Sequence, residues 1–150
     1  MADDKVIATN RRARFNYAIL ESMETGIELK GAEVKSLRGG HAALHDSYAR
    51  ADGGEIVLFN MHIAPYEFGN RFNVDPVRPR KLLLHKNQIR RLIAEVALKR
   101  ATLIPLKLYF KNGMVKVELG VAKGKKQYDK RHAIKEREAG MELRKQFRKR

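Results

Sequence analysis

Residues 102–122 read TLIPLKLYFKNGMVKVELGVA, two runs of alternating apolar and polar residues on either side of Asn112-Gly113. Alternation with a period of two is typical of β-strands, because successive side chains point to opposite faces. Asn-Gly favours a type I′ turn, in which both central residues take a positive φ. The stretch therefore predicts a β-hairpin. Pro105 lacks the N–H that a ladder needs, so we expect an edge or a bulge there.

Two more hairpins are predicted from the same kind of alternation. Residues 44–65 alternate around a turn sequence at 52–54 (DGG), which predicts a second hairpin. Residues 15–29 alternate around 24–26 (ETG), which we interpret as the turn of a third. Together these stretches predict five or six short antiparallel strands.

Two helices are predicted between the strands. Apolar residues recur at the i, i+3, i+4, i+7 and i+8 spacing of one helix face at Ile89, Leu92, Ile93, Val96 and Ala97. With basic residues opposite, this pattern predicts an amphipathic helix of about four turns. Residues 31–38 predict a short helix, because the Gly pair after them suits a left-handed stop.

The element count predicts a mainly β protein. Five or six antiparallel strands in about 110 residues close most readily into a small barrel, because closure removes exposed strand edges. We expect the long helix to plug one end of it. The predicted organisation is a basic flexible leader at residues 1–13, a small barrel at 14–122 and a basic C-terminal tail at 123–150.

The tail concentrates positive charge. Residues 123–150 hold twelve Lys or Arg and four Asp or Glu, a net +8 of the chain's +15. Such a segment buries too little apolar surface to offset the entropy lost on ordering. We expect it to be disordered or partly helical alone and to take shape on a polyanionic surface. The alternative is a solvated basic end that only aids solubility.

The composition argues against several classes of protein. The chain has no cysteine, which excludes disulfides and thiolate metal sites and suits a reducing cytoplasm. No apolar run approaches the roughly 20 residues of a membrane span. The five histidines have no metal-ligand spacing, and phosphate-loop and nucleophile-elbow motifs are absent. We therefore expect a protein that is not an enzyme and has no metal or cofactor.

The net charge points to nucleic acid first and to an anionic membrane second, although the basic segments lack an apolar face that could insert. A basic RPRK segment lies at 78–81. Tyr66, Phe68 and Phe72 are candidates to stack on bases, or else to close their loop over the core. Folded RNA is favoured over duplex DNA because no helix is suited to read a major groove. The residues alone thus predict a basic β-rich RNA-binding protein.

Five strings stand in order from about Asn10 to Glu138: GAEVKSLRGG, ALHDSYAR, PYEFGNRFNVDPVRPRKLLLHK, LIPLKLYFKNGMVKVELGVAKGKKQYDKR and IKERE. Together they resemble the SmpB family, the SsrA-binding proteins of bacterial trans-translation. The resemblance implies a closed OB-like barrel of about six strands with flanking helices. It also implies that the basic tail is disordered in the free protein and helical when bound to the ribosome.

The resemblance implies a function as well. Proteins of this family bind the tRNA-like domain of tmRNA (SsrA RNA) and deliver it to the vacant A site of stalled ribosomes. Their tail probes the empty mRNA entry channel near the small-subunit decoding centre, which allows ribosome rescue and tagging of the nascent peptide. Alanyl-tmRNA and elongation factor Tu are implied partners, in the cytoplasm. The alternative is a general basic RNA-binding or ribosomal accessory protein.

Two sets of binding residues follow from the resemblance. The residues implied to bind tmRNA are Arg11, Arg12, Glu24, Lys81, Leu83, His85, Lys123, Lys125 and Lys126. Those implied to bind the ribosome are Asp129, Lys130, Arg131, Ile134, Lys135, Arg137 and Phe147. Glu24 would accept a hydrogen bond from a base edge or a 2′-hydroxyl, or else only stabilise its turn. We expect Leu83 to contact a base, and His85 to lie on the same side if the strand continues.

Overall fold

The computed structural model describes residues 5–66, 74–125, 137–139 and 141. Its strands and helices are β1 (Lys5–Thr9), α1 (Arg11–Asn16), β2 (Tyr17–Ile27), α2 (Gly31–Arg38), β3 (Ala42–Ala43), β4 (Tyr48–Asp52), β5 (Glu55–Phe59), β6 (His62–Ile63), β7 (Arg80–Leu83), α3 (Lys86–Lys99), β8 (Thr102–Lys111) and β9 (Met114–Gly124). Residues 137–139 and Met141 are also helical. In the described part, no helix has the length and apolar character needed to cross a membrane.

Six antiparallel strands form a closed ring in the order β8-β4-β5-β7-β2-β9, which closes because β9 also pairs with β8. Strand β1 lies outside this ring on the free part of one β8 edge. On that edge β4 pairs with β8 at Leu103, whereas β1 pairs with β8 from Lys107 to Phe110. The predicted closed antiparallel arrangement of about six strands with flanking helices is thus confirmed.

The hairpin at residues 102–122 is confirmed, with β8 and β9 as its strands. Asn112 and Gly113 have φ values of 52° and 75°, as a type I′ turn requires. The ladder shifts register between Pro105 and Lys107, so the predicted bulge is present. The second hairpin is confirmed as well, since β4 pairs with β5 across a turn at residues 53–54.

The core fills the inside of the ring. Alternate residues of the strands point inward, and Ile89 and Leu92 of α3 join them. The fully or almost fully buried apolar residues include Leu37, Leu44, Ile56, Leu58, Met61, Leu82, Leu92, Leu108, Val117, Leu119 and Val121. Burying one such Leu or Ile contributes about 1.5–3 kcal/mol. The other α3 residues are exposed or half-buried, in keeping with the predicted amphipathic helix.

The turn predicted at Glu24-Thr25-Gly26 is wrong. These residues lie inside β2, an eleven-residue strand that pairs with β9 on one side and with β7 on the other. Gly26 is buried opposite Leu83, and a Cβ at this position would come within 3.0 Å of the Leu83 Cβ. The glycine therefore serves close strand packing, not chain reversal.

The flexible leader predicted at residues 1–13 is wrong for the described part of that stretch. Lys5–Thr9 is β1, and residues 11–16 form α1. The strand had too short an alternation to be recognised, and its pairing partner β8 lies about a hundred residues away in the sequence. At the other boundary, β9 extends through Gly124, two residues into the predicted tail.

A buried ion cluster joins α2 to β7. Glu33 accepts hydrogen bonds from Arg78 Nη2 at 2.6 Å, Arg80 Nε at 2.5 Å and the Lys30 backbone N–H at 2.8 Å. Burial by itself would raise the pKa of Glu33, but these hydrogen bonds outweigh it and hold the pKa below its usual value. Arg80 also donates from Nη1 to the Met61 carbonyl at 2.6 Å.

Arg80, although part of the basic RPRK segment, is therefore not available to bind nucleic acid. Its side chain is fully buried, and its guanidinium is used to bind Glu33 and backbone carbonyls. Its position three residues before Leu83 places it on the inward face of β7, which alternates buried and exposed residues. This arginine stabilises the fold and is not accessible to a ligand.

Candidate nucleic-acid interface

The residues predicted to bind RNA lie near opposite ends of β2. At the end where α1 enters the strand are Arg11, Arg12, Lys123 and Lys125, which we term the α1 end. At the end where β7 pairs with β2 are Glu24, Lys81, Leu83 and His85, which we term the β7 end. Lys123 pairs with Ala18 and Leu83 with Gly26, so the two ends are about 26 Å apart along the strand. The structure does not bring the predicted residues into one cluster.

Helix α1 is held in place by Asn10. The Asn10 Oδ1 accepts a hydrogen bond from the Ala13 N–H at 3.2 Å, which caps the helix. Its Nδ2 donates to the Pro105 carbonyl at 3.0 Å, at the bulge of β8. This double contact fixes the exposed Arg11 and Arg12 relative to the ring. Sequence reasoning missed Asn10, although an Asn directly before a helix is a recognisable cap signal.

The end of β9 meets the same helix. The Lys125 N–H donates to the Asn16 carbonyl at 2.9 Å, and Lys125 Nζ donates to the Arg14 carbonyl at 3.0 Å. Two residues before Lys125, Lys123 is exposed and pairs with Ala18 of β2. The α1 end therefore presents several cations on a rigid backbone, an arrangement that suits phosphate contacts. Lys126 lies outside the described residues.

The β7 end is more apolar. Leu83 is 48% exposed and lines a depression of about 300 Å³ together with Leu29, Val34 and Met114. Exposed aliphatic side chains around a shallow depression can pack against the face of an unstacked base. Lys81 points to the same outer face of β7, and its Nζ lies 3.6 Å from a carboxylate oxygen of Glu55.

His85 does not share a strand face with Leu83. Strand β7 ends at Leu83, and His85 is the N-cap residue directly before α3. Its backbone N–H donates to Gln88 Oε1 at 3.0 Å, and its side chain is exposed. The expectation that His85 lies on the same side as Leu83 applied only if the strand continued to His85, and the strand ends before it. The imidazole instead stands at the N-terminus of α3.

Glu24 lies on the outer face of the ring, with 39% of its side chain exposed. The Tyr109 hydroxyl donates to Glu24 Oε1 at 2.5 Å, and Lys111 Nζ donates to the same oxygen at 3.3 Å. The hydrogen bond from Tyr109 is the main cause of a lowered Glu24 pKa; burial opposes it, and Lys111 and Lys116 add to it. Sequence reasoning missed both partners, although the alternation of β8 places them on one face.

Most of the predicted ribosome-binding set lies outside the described residues: Asp129, Lys130, Arg131, Ile134, Lys135 and Phe147. Arg137 is described and is helical and exposed. Among the aromatic candidates, Phe68 and Phe72 also lie outside the described part. The Tyr66 ring is half-buried, with Lys35 Nζ at 5.5 Å from its centroid.

The geometry by itself defines a class of protein. A small closed ring of antiparallel strands carries exposed cations at one end, and an exposed Leu and a held carboxylate near the other. Within the residues that the structure describes, no group of three or more His, Cys, Asp or Glu is placed to hold a metal ion. The arrangement is that of a basic β-ring protein suited to bind a nucleic acid through its surface.

Comparisons with known proteins give the particular family. The sequence model of the SmpB protein family matches residues 7–149, so this chain belongs to the SmpB family. An SsrA-binding protein of Caldicellulosiruptor bescii is 63% identical over 145 residues, covering 97% of this chain and 92% of that protein. An SsrA-binding protein of Geobacillus thermodenitrificans is 55% identical, covering 99% and 96%.

The fold has a solved counterpart. A chain from a structure described as "tmRNA-SmpB: a journey to the center of the bacterial ribosome" superposes with a TM-score of 0.67 at 53% identity. The match covers 84% of this chain and 92% of the solved one. At this identity the likeness extends beyond the strand order to the sequence itself.

Proposed function

We propose that this chain is an RNA-binding adaptor of trans-translation. It binds the tRNA-like domain of tmRNA, delivers that RNA to the vacant A site of stalled ribosomes, and probes the empty mRNA channel with its tail. This allows rescue of the ribosome and tagging of the nascent peptide. The observation that carries the proposal is 53% identity, with a matching fold, to a solved tmRNA–SmpB chain. The shared name of the relatives, SsrA-binding protein, supports it.

The two ends of β2 divide the work of RNA binding in this proposal. The α1 end, with Arg11, Arg12, Lys123 and Lys125, contacts phosphates and so sets affinity and its salt dependence. The β7 end, with Leu83 and its neighbours, contacts bases. Phosphate contacts position an RNA without reading its sequence, whereas contacts to bases and 2′-hydroxyls distinguish one folded RNA from another. A rigid ring spanning both ends would favour an RNA of matching shape.

The basic tail acts separately from the ring. In this proposal residues 129–150 carry the ribosome contacts, through cations such as Lys130, Arg131 and Lys135 that pair with rRNA phosphates. Asp129 caps a helix that forms on binding. The protein itself performs no catalytic step. It works in the cytoplasm together with alanyl-tmRNA and elongation factor Tu.

A deletion tests the division between ring and tail. Removing residues 129–150 should leave binding of the tRNA-like domain within about threefold of the full chain, because the proposed RNA contacts all precede the deletion. Peptide tagging on ribosomes stalled at a truncated message should be abolished. A gel-shift titration and a reconstituted tagging assay measure the two activities. Equal loss of both would contradict separate roles.

A competition experiment tests the adaptor against a general RNA-binding protein. At physiological salt the labelled tRNA-like domain should be displaced by its unlabelled copy at concentrations at least tenfold lower than by an unrelated hairpin of equal length. A protein that coats RNA by charge alone would show little preference, and its affinity would follow only charge and salt. Equal competition by both RNAs would therefore favour the general RNA-binding alternative.

A further inference from the structure

Three neighbouring strands of the ring present a polar outer face around Glu24. Along one row of the sheet Glu24 of β2 pairs with Glu118 of β9, which pairs in turn with Lys107 of β8. Tyr109 and Lys111 follow Lys107 at every second residue of β8, so they share its face. These side chains border an open depression of about 490 Å³. A ligand group such as a nucleotide can therefore approach Glu24 from solvent.

The two oxygens of the Glu24 carboxylate have different surroundings. Oε1 accepts two hydrogen bonds, from the Tyr109 hydroxyl at 2.5 Å and from Lys111 Nζ at 3.3 Å. Oε2 accepts no hydrogen bond from any residue that the structure describes. Fixing one oxygen also fixes the direction in which the other presents its lone pairs. The carboxylate is thus oriented on one side and open on the other.

Tyr109 is itself restrained. Lys107 Nζ lies 5.4 Å from the centroid of its ring, a distance typical of a cation–π contact. On the two sides of β8, Tyr109 pairs with Lys116 of β9 and with Val6 of β1. The ring is half-buried between these strands, so its hydroxyl reaches Glu24 across β9 from a defined position.

An open carboxylate oxygen can recognise only part of an RNA. Phosphate oxygens are acceptors and carry negative charge, so they repel it. The donors that RNA offers are the amino and imino groups of bases and the ribose 2′-hydroxyl. The lysines around Glu24 attract the RNA backbone, while the carboxylate requires a donor at one point. The site therefore selects by hydrogen-bond donor, in contrast to the α1 end.

We propose that Tyr109 and Lys111 are positioning residues that hold Glu24 Oε1, so that Oε2 accepts a hydrogen bond from an amino group or 2′-hydroxyl of the bound RNA. The proposal rests on the proposed RNA-binding function and adds a specificity device to it. It assigns a role to two β8 residues that make no assigned RNA contact of their own. Losing either partner leaves the carboxylate held by a single contact and so less well oriented. Discrimination between RNAs should then weaken more than the general attraction of the protein for RNA.

The free protein provides a first test that needs no RNA. NMR titration of the Glu24 side-chain carboxyl should give a higher pKa in Tyr109→Phe than in the wild type, because the hydroxyl that stabilises the ionised form is gone. Tyr48→Phe is the matched control, since Tyr48 stacks on Phe59 and is not placed near Glu24. An unchanged Glu24 titration in Tyr109→Phe would overturn the positioning role, whether or not the protein binds RNA.

RNA affinity provides the second test. Tyr109→Phe should bind the tRNA-like domain about three- to tenfold more weakly at neutral pH, the effect of one lost hydrogen bond. Lys111→Met should weaken it similarly, whereas Lys99→Met removes the same charge from α3 and should not. In Tyr109→Phe the loss of affinity on acidification should begin at a higher pH, because Glu24 is protonated earlier. Wild-type affinity and pH profile in Tyr109→Phe would contradict the proposal.

Substituted RNAs identify the donor. One series of transcripts replaces ribose by 2′-deoxyribose, and another replaces bases by analogues that lack the amino group. At the donor position the substitution should weaken binding to the wild type about three- to tenfold and leave unchanged the binding to Glu24→Met, which has no carboxylate or amide oxygen to accept the bond. If no substitution has a Glu24-dependent effect, the donor proposal is wrong. The proposed function fails separately, if the wild type does not prefer the tRNA-like domain over an unrelated hairpin.

Discussion

Two glutamates of this protein accept hydrogen bonds from two charged or phenolic side chains each, yet they do different things. Glu33 is 3% exposed and binds two arginines between α2 and β7. Glu24 is 39% exposed and binds Tyr109 and Lys111 on the outer face of the ring. Both have lowered pKa values. The comparison teaches that burial, more than the number of partners, decides whether a held carboxylate stabilises the fold or shapes a surface.

Replacing each glutamate by glutamine should change the unfolding free energy by very different amounts, and this is the largest effect that we expect. Glu33→Gln leaves the fully buried guanidinium of Arg80 without its counter-charge, which costs about 3–5 kcal/mol of unfolding free energy. Glu24→Gln should change that free energy by no more than about 0.5 kcal/mol, because water solvates what remains. Urea denaturation followed by circular dichroism measures both.

The two substitutions control each other, since they make the same chemical change in different surroundings. If Glu33→Gln proves too unstable to purify, Arg78→Met provides a milder test. It removes a partner that is 23% exposed and keeps Arg80 paired. We expect Arg78→Met to lower the unfolding free energy by less than Glu33→Gln does and by more than Glu24→Gln does. Equal stability changes for Glu33→Gln and Glu24→Gln would show that burial is not the deciding factor.

Acidification should reduce the difference in unfolding free energy between the wild type and Glu33→Gln. A carboxylate whose pKa is lowered by folding stabilises the protein above the ordinary Glu pKa of about 4.3 and loses that contribution as pH falls through its folded-state value. The stability gap between wild type and Glu33→Gln should therefore be full at pH 7 and narrow below about pH 4. Urea titrations at pH 7, 5, 4 and 3 measure it. A gap that stays constant down to pH 3 would contradict the assignment to Glu33 ionisation.

Local patterns predicted the parts of the fold that depend on neighbouring residues. The alternation around Asn112-Gly113 predicted β8 and β9, and the helical spacing from Ile89 to Ala97 predicted α3. The turn at Glu24-Thr25-Gly26 failed because its glycine is used to bring two strands together. A glycine's local signal is the same in a turn and at a close contact, and only the position of Leu83 distinguishes the two.

The candidate site was predicted less completely, for a related reason. Alternation placed Tyr109 and Lys111 on one face, but their contact with Glu24 crosses β9 and depends on the order of strands. Likewise Glu33 and Arg80 are 47 residues apart, and nothing in either local sequence shows that they pair. Charged residues are usually exposed, so a sequence pattern predicts an arginine to lie on the surface. A buried arginine is recognised only when its partner is known.

The smallest expected effect concerns a third ion cluster, which is exposed like that of Glu24. Arg91 of α3 pairs with Glu21 of β2 and, at 3.2 Å, with Glu95 one helical turn further on. The Arg91 side chain is 59% exposed, so solvent and salt weaken both pairs. Arg91→Met should lower the unfolding free energy by no more than about 1 kcal/mol, and the loss should shrink further in 1 M NaCl. Urea denaturation at low and high salt checks this, and a loss as large as that of Glu33→Gln would mean that exposed pairs also hold this fold together.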